Sequence, residues 1–473
     1  MDMLHLLKKG GGRALAGGII QLLLIIAISL SATVFAQPPP DYSTFGRVQK
    51  VDYVPDKDSL LRIWIVNVGQ GDGLIIQLPA NYNYSVDGYD DPVPERTDIL
   101  IDGGSWTKDE SELIGQFIDR LYPDHYPIIE YTVITHHDKD HILGLTGLLQ
   151  DTNLVFGTIY HNGLATYEPG TAKFPLNAIT DNNAVYSKSG GTVTRGMAFL
   201  DSQDRIKGDY LVKDLGQLKS SFNNGYFTGE YEDLAKEIIG RSRDMSVMAF
   251  DRAYAGAPFI IENYAQSHNA ISGIEMEVLW PLSTLQAYES RNWAKTINGN
   301  SVTFRLKYGQ FEMLFTGDLN KASETELYNH LNGLGQLDKL KCDVLKVPHH
   351  GSEDVFEKLF TDSIFNPVVS AASMGESGFK MTGHKHPRPK VIDRLGGAHR
   401  FYSTYIHEKK FKWENMTEKK RQKMIEKRRK DILVETDGKW FRVVEITLTG
   451  DPNMPPPVDE VRRGHGTRWI RAD

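Results

Sequence analysis

An α/β fold is what the sequence predicts. Short apolar runs alternate with segments of helical spacing over roughly 390 residues, the rhythm of strands and helices in one mixed domain. Several of those runs stop at glycine-rich or polar turns, which punctuate strand ends. The chain has 473 residues, 40% hydrophobic and 24% charged, ordinary for a globular protein and enough for one large domain or two to three smaller ones.

Taken in order, residues 1–36 are expected to be a signal peptide rather than part of the fold. Lys8, Lys9 and Arg13 form a positive start, the run from Ala14 to Phe35 is largely apolar, and Val34-Phe35-Ala36 makes a cleavage site. An uncleaved signal anchor is the alternative, because the apolar run approaches membrane-spanning length. Export to the periplasm or the medium is expected, with no membrane contact after cleavage. Residues 37–58 are polar and proline-rich and read as a linker, and a single domain is expected over 59–450. Leu61 to Val68 alternates as a strand and Gly69 to Gly73 turns into a second one, Leu74 to Leu78. Asp98 to Asp102 is a third strand, 110–121 a helix, and Ile129 to Thr135 another buried strand.

Further on, Ser301 to Tyr308 and Phe311 to Phe315 predict a hairpin around Gly309. Strands are expected at 343–347 and 367–372, and helices at 321–334, 353–361 and 388–395. Two stretches break the rhythm. Residues 165–270 are polar and weakly periodic and read as an insertion with a helix from Glu230 to Ile239. Residues 408–431 hold eleven Lys/Arg against five Asp/Glu, a basic helix with either a solvated or a phosphate-contacting face. The tail, 451–473, reads as disordered.

Composition excludes several chemistries. One cysteine, Cys342, leaves no disulfide framework, thiolate zinc finger or CxxC redox site. The net charge of −7 argues against a surface that grips nucleic acid everywhere, although a local basic face is compatible with it. Any metal site must therefore use histidines and carboxylates.

Such residues are concentrated where the strand ending at Thr135 stops. His136, Asp138, Asp140 and His141 follow H-x-D-x-D-H, four ligand types in six positions. A loop leaving a buried strand can aim them at one or two divalent ions, and imidazole with carboxylate suits Zn, Mn or Fe. The bland reading is a polar turn. His137 and Lys139 fall off the pattern and should point elsewhere. Asp318 follows a strand and Gly317; it could equally cap the helix after it. His349 and His350, before Gly351-Ser352, end another strand, and His384 and His386 sit in a Gly/Pro turn where exposure is the ordinary reading.

In combination these segments resemble the metallo-β-lactamase-fold hydrolases, closest to the hydrolase domain of the ComEC-type DNA-uptake proteins. Stand-alone secreted relatives of that domain, choline-phosphoesterases among them, share the likeness. It runs from Leu61 to Leu448 through VNVGQGDG at 66–73, LIDGG at 100–104, THHDKDH at 135–141, NSVTFRLKYG at 300–309, LFTGDL at 314–319, DVLKVPHHGS at 343–352 and GHKHP at 383–387. The long 165–270 stretch departs from the pattern. The channel and oligonucleotide-barrel parts of the uptake proteins have no counterpart, so transport is not implied and a DNA substrate is in doubt.

The resemblance implies a four-layer αββα sandwich with a two-metal site at one edge of the sheets. His136 and Asp138 would hold one ion, Asp140, His141 and His350 the other, and Asp318 would bridge them. His349 would orient substrate or act as an acid, and the two adjacent histidines could exchange roles. Relatives usually place one more histidine on the first ion; His161 and His268 are the local candidates. Gln70, Asp72 and Asp102 would orient ligands from behind, with Ser352 and His384 as further supporting or substrate residues.

A secreted hydrolase of phosphodiesters, nuclease-like and using a hydroxide shared by two ions, is the expected function. Its substrate is a small molecule or a phosphodiester, nucleic acid included. The rival on the same fold is a carboxylic ester, lactam or thioester hydrolase, which more often carries histidine where Asp138 stands. A non-catalytic metal-binding surface protein is the other.

Overall fold

A computed structural model describes residues 59–79, 96–122, 127–168, 186–188, 191–193, 200–243, 246–257, 259, 274–289, 292–355, 367–375, 386–395, 401–405, 430–447 and 470–472. The expected signal peptide, linker, most of the basic helix, most of the tail, and His268 and His384 lie outside those residues.

The mixed α/β class stands, with two multi-stranded sheets and seven α-helices among the described residues. The larger sheet contains β1 (Leu61–Ile65), β2 (Leu74–Gln77), β3 (Asp98–Ile101), β4 (Ile128–Ile134), β5 (Val155–His161) and β8 (Val247–Arg252). On the other side of β1 it continues through β15 (Lys430–Thr436), β16 (Trp440–Thr447) and β17 (Ile470–Arg471), giving the order β17-β16-β15-β1-β2-β3-β4-β5-β8. The smaller sheet runs β14 (Phe401–Ser403), β13 (Val369–Ala372), β12 (Val344–Lys346), β11 (Phe311–Phe315), β10 (Thr303–Tyr308) and β9 (Ile274–Trp280). A separate ribbon pairs β6 (Tyr186–Lys188) with β7 (Gly191–Val193).

Alternation along each strand decides what the sheets bury. Leu61, Ile63 and Ile65 of β1 share a core with Phe304 and Leu306 of β10 and Phe311, Met313 and Phe315 of β11, so the two sheets pack on each other. The Phe304 and Phe315 rings, opposite one another in the hairpin, stack with centroids 4.6 Å apart. Trp64 points the other way and meets Phe117 edge-on at 5.4 Å.

Phe117 belongs to α1 (Leu113–Leu121), which with α2 (Lys139–Gln150) covers that second face of the large sheet. Both helices connect parallel strands, α1 from β3 to β4 and α2 from β4 to β5. The outer face of the small sheet shares a core with α6 (Lys321–Gly333) and α7 (Pro389–Arg394).

Three expectations need correction. The 165–270 stretch is not wholly an insertion: β8 pairs in parallel with β5 and completes the large sheet. Before it come α3 (Leu215–Asn223) and α4 (Gly229–Arg241), whose stripe of Tyr231, Leu234, Ala235, Ile238 and Ile239 joins the core beneath α2. The tail is not disordered throughout, because Ile470 is buried and β17 pairs with β16. The 408–431 helix reaches too far, since Lys430 and Asp431 already belong to β15.

One buried polar chain crosses the large sheet. Trp64 Nε1 donates to Gln77 Oε1 at 3.0 Å, Gln77 Nε2 to the Tyr122 hydroxyl at 2.7 Å, and that hydroxyl to Asp98. Burial pushes the Asp98 carboxyl up to about 8 against the Tyr122 hydrogen bond, and the nearby charge of Glu130 adds to the rise. A raised carboxyl stabilises the fold fully only below its unfolded value of about 4 and loses that contribution as pH climbs toward 8. Asp98→Asn is therefore expected to gain on the native chain between about pH 5 and pH 8, by at most ~1.4 kcal/mol per pH unit. Urea midpoints at both ends of that window check it; parallel curves for the two proteins would refute the assignment.

Candidate metal centre

Strand ends deliver the polar residues to one place. The loop after β4 and the first turn of α2 carry Thr135 to His141, the loop after β11 carries Thr316 to Asp318, and that after β12 leads to His349 and His350. The turn between β1 and β2 brings Gln70 and Asp72, while Asp102 follows β3. Most of these strands run parallel, and the carboxyl ends of parallel strands are where α/β proteins gather ligand-binding loops. Asp138 lies on extended backbone just before α2, whereas Asp140 and His141 occupy its first turn. Asp318 is not a helix cap: Asn320 caps α6, in a reciprocal box with Ser323.

Each of the three central histidines has one ring nitrogen held from behind and the other turned inward. His136 Nδ1 meets Thr135 Oγ1 at 3.0 Å and Ser301 Oγ at 3.3 Å. His141 Nδ1 meets Asp102 Oδ2 at 2.8 Å, and His350 Nδ1 lies 2.9 Å from the Ser373 carbonyl and 3.4 Å from Asp72 Oδ1. The three Nε2 atoms are buried without hydrogen-bond partners, as is Asp318 Oδ1. Orphaned buried polar atoms are costly, and here they converge on one another. Ligand atoms of His136, His141 and Asp318 fall within 4.8 Å of each other, as do those of Asp140, His141 and His350 and those of Asp72, Asp318 and His350. The donor set, imidazole nitrogen with carboxylate oxygen, fits a divalent cation.

Electrostatics agree with that fit. Burial would lower the His141 and His350 rings, but Asp318 and the other carboxylates facing them raise both well above the usual imidazole value. Asp318 is held well below the carboxylate range because His350, His141 and His349 outweigh its burial. For Asp140, burial is overcome by the His350 ring, whose Nε2 lies 3.6 Å from Oδ2, and by the charge of His141, bringing it to about 2. His136 goes the other way, lowered by burial and by its neighbour His141. A field that holds protons on two buried rings would hold a cation in their place.

No family model matches this chain, and no curated protein does.

The remaining candidates sort by geometry. Asp72 is buried and also accepts from Lys346 Nζ at 2.7 Å, while Gln70 Nε2 reaches Asp140 Oδ2 at 3.4 Å. His349 is the most exposed of the histidines gathered here, its side chain 22% accessible and its Nε2 3.8 Å from Asp318 Oδ2. Ser352 Oγ takes the Asp354 N–H within its own turn. His161 is turned to other partners: its ring stacks on Phe250 at 3.8 Å and its Nδ1 accepts from Gly163 N at 3.0 Å. His137 packs edge-on against Tyr231, and burial lowers it to about 3. Lys139 lies 3.6 Å from Glu230.

Backbone strain and close approach mark the same loops. His349 and His350 are consecutive non-glycine residues at φ +46° and +53°, a left-handed conformation that costs roughly 1–2 kcal/mol per residue. Such strain persists where surrounding structure imposes it, often at functional sites. Gly71, at φ +113°, lies so close to the Asp140 carbonyl that a Cβ would sit 1.6 Å from it. Glycine is therefore required for the turn bearing Gln70 and Asp72 to lie against the ligand loop.

Several participants escaped the sequence reading. Ser301 Oγ both contacts His136 and accepts from Asp318 N at 3.1 Å. Thr135 hydrogen-bonds Asp102, Lys346 pairs with Asp72, and Ser373 donates to Asp72. His386, read from its Gly/Pro turn as exposed, is buried instead, with its ring 5.8 Å from that of His349. Thr135, Ser301, Lys346 and His386 lie inside the quoted motifs, which was a usable signal; Ser373 lies in none.

Proposed function

We propose that the protein is an exported hydrolase that depends on two divalent ions and cleaves phosphodiesters. Its two sheets and flanking helices would then form the four-layer αββα sandwich of the metallo-β-lactamase fold. The observation that carries the reading is the convergence of three orphaned Nε2 atoms on the buried carboxylates, with every Nδ1 fixed from behind. That is how ligating histidines are oriented in metal sites. His136 and Asp138 would hold one ion, Asp140, His141 and His350 the second, and Asp318 both. Zn is the first candidate for this donor set, with Mn and Fe as alternatives. Bound there, the ions would supply charge neutralisation for a phosphoryl group and an activated water.

The chain's own residues supply the rest. Asp102 and Thr135 hold His141 and His136 in place, and Asp72 with Ser373 does so for His350. His349 is near enough to Asp318 to face the same substrate and exposed enough to reach it. It is the residue to orient the phosphoryl oxygens or to pass a proton to the departing alkoxide. Asp138, in place of a histidine, favours phosphodiesters over lactams and thioesters by the resemblance given above.

The test compares substrates on metal-loaded protein: bis(p-nitrophenyl) phosphate, DNA, RNA, phosphocholine esters, p-nitrophenyl acetate and a chromogenic lactam. Metal-dependent cleavage of phosphodiesters, with the acetate and the lactam left intact, is expected. Turnover of the carboxylic ester or lactam alone would hand the site to the rival class.

A further inference from the structure

We infer that the cluster holds its two ions unequally, and that Asn298 governs the looser position by holding Asp138. The inference rests on the two-ion reading above. The tighter position has four protein groups, Asp140, His141, His350 and Asp318. The first three present ligand atoms within 4.8 Å of one another, and Asp318 Oδ2 lies 3.4 Å from His350 Nε2. Four such groups complete the tetrahedral set a divalent zinc takes in closed sites.

The other position is thinner. His136 and Asp318 face it, with His141 shared between this position and the tighter one, but Asp138 joins none of the close groupings formed among the described residues. Its nearest approach is Oδ2 to His136 Nε2 at 3.8 Å, and its side chain is 33% exposed. Among the described residues no further histidine joins such a grouping; His161, whose ring stacks on Phe250, is in none.

Asn298 stands beside Asp138 instead. It lies near the end of α5 (Trp293–Gly299) and is buried. Only one orientation of its amide satisfies both ends: Nδ2 then donates to Asp138 Oδ2 at 2.8 Å and to the Ala294 carbonyl at 3.2 Å. Three residues on, Ser301 Oγ sits 3.3 Å from His136 Nδ1. One turn, 298–301, therefore holds both residues that belong to the looser position alone. It is zipped to the ligand loop by Val302 N donating to the Thr135 carbonyl at 2.8 Å. An amide donating to a carboxyl oxygen fixes the group's rotamer and occupies one of its lone pairs. Asn298 is thus a positioning residue: it makes Asp138 available.

The experiment is a titration of the metal-stripped full chain with Co²⁺, followed by calorimetry and visible absorption. The native chain should take up two ions in separate steps, with dissociation constants at least about tenfold apart. Asn298→Ala should weaken the looser step by roughly 10–100-fold, the usual effect of removing a partner that orients a ligand. The tighter step should stay where it was and serves as the internal check that the variant is folded. Asp138→Asn, which keeps the side chain's size, should weaken the looser step in the same selective way. Two steps of equal affinity in the native chain, or an Asn298→Ala chain that moves both steps or neither, would overturn the inference while leaving the two-ion reading standing. A native chain that takes up no Co²⁺ ends both.

Discussion

On the two-ion phosphodiesterase reading proposed above, Asp318→Ala should release at least one ion and lower phosphodiester cleavage by more than about 100-fold. The scale comes from comparison: removing a partner that merely orients a ligand typically costs 10–100-fold in metal affinity or activity. Asp318 is nearer the chemistry than any such partner. Its Oδ1 lies 3.4 Å from His141 Nε2 and its Oδ2 3.4 Å from His350 Nε2, so its two oxygens face different histidines. It belongs both to the grouping with His136 and His141 and to the one with Asp72 and His350. Among the described residues no other carboxylate shares such a grouping with His136, so Asp318 alone joins that histidine to the His350 side, where a bridging ligand would lie. The strand end that presents it is rigid, with Thr316 Oγ1 donating to the Lys346 carbonyl at 2.6 Å and Ser301 holding the Asp318 N–H. Alanine at 318 should therefore leave the backbone in place, and far-UV circular dichroism should match the native chain. Metal content per chain and the rate on bis(p-nitrophenyl) phosphate are the readouts. Two ions retained with native turnover would remove Asp318 from the centre of the site.

Some of this was legible in the sequence because the information is local. H-x-D-x-D-H packs four ligand types into one strand-to-helix junction, and the strand before it is apolar on both faces. The β10–β11 hairpin is visible from alternation and one glycine. What stayed hidden depends on contacts between distant parts of the chain. Lys346 ends a three-residue buried strand, where a lysine reads as an exposed terminus; its partner Asp72 lies 274 positions away. Ser373 meets the same carboxylate from 301 positions away.

Asn298 carries no motif of its own, since an amide near a helix end looks like a cap until Asp138 is seen beside it. β8 was missed for another reason. As an edge strand it exposes Met248, and its burial alternates weakly, so the surrounding polar stretch masked it. β17 has two residues and one apolar side chain, too little periodicity to register against a charged tail.

Lys346→Met is expected to cost about 3–5 kcal/mol of folding stability, the range for removing one partner of a buried ion pair. Lys346 is among the largest fully buried side chains of the molecule, and Asp72 is buried with it. Burial alone would raise the Asp72 carboxyl; the ammonium of Lys346, then His350, bring it below the ordinary carboxylate value instead. Lys346 Nζ also donates to the Val347 carbonyl at 3.1 Å, so its charge is anchored at the root of the loop that carries His350. A methionine fills much the same space with no charge, so the loss measures the Asp72 carboxylate deprived of its ammonium, with Ser373 and His350 still beside it, rather than a cavity. Neutralising that carboxylate as well should recover part of the stability, because a buried charge without a partner is worse than no charge at all. Asp72→Asn with Lys346→Met should therefore be more stable than Lys346→Met alone, although each change by itself is destabilising. Denaturant unfolding of the four metal-stripped proteins closes the cycle and gives the coupling directly. If Lys346→Met unfolds within about 1 kcal/mol of the native chain, the pair behaves like an exposed one and cannot be what fixes Asp72 behind His350.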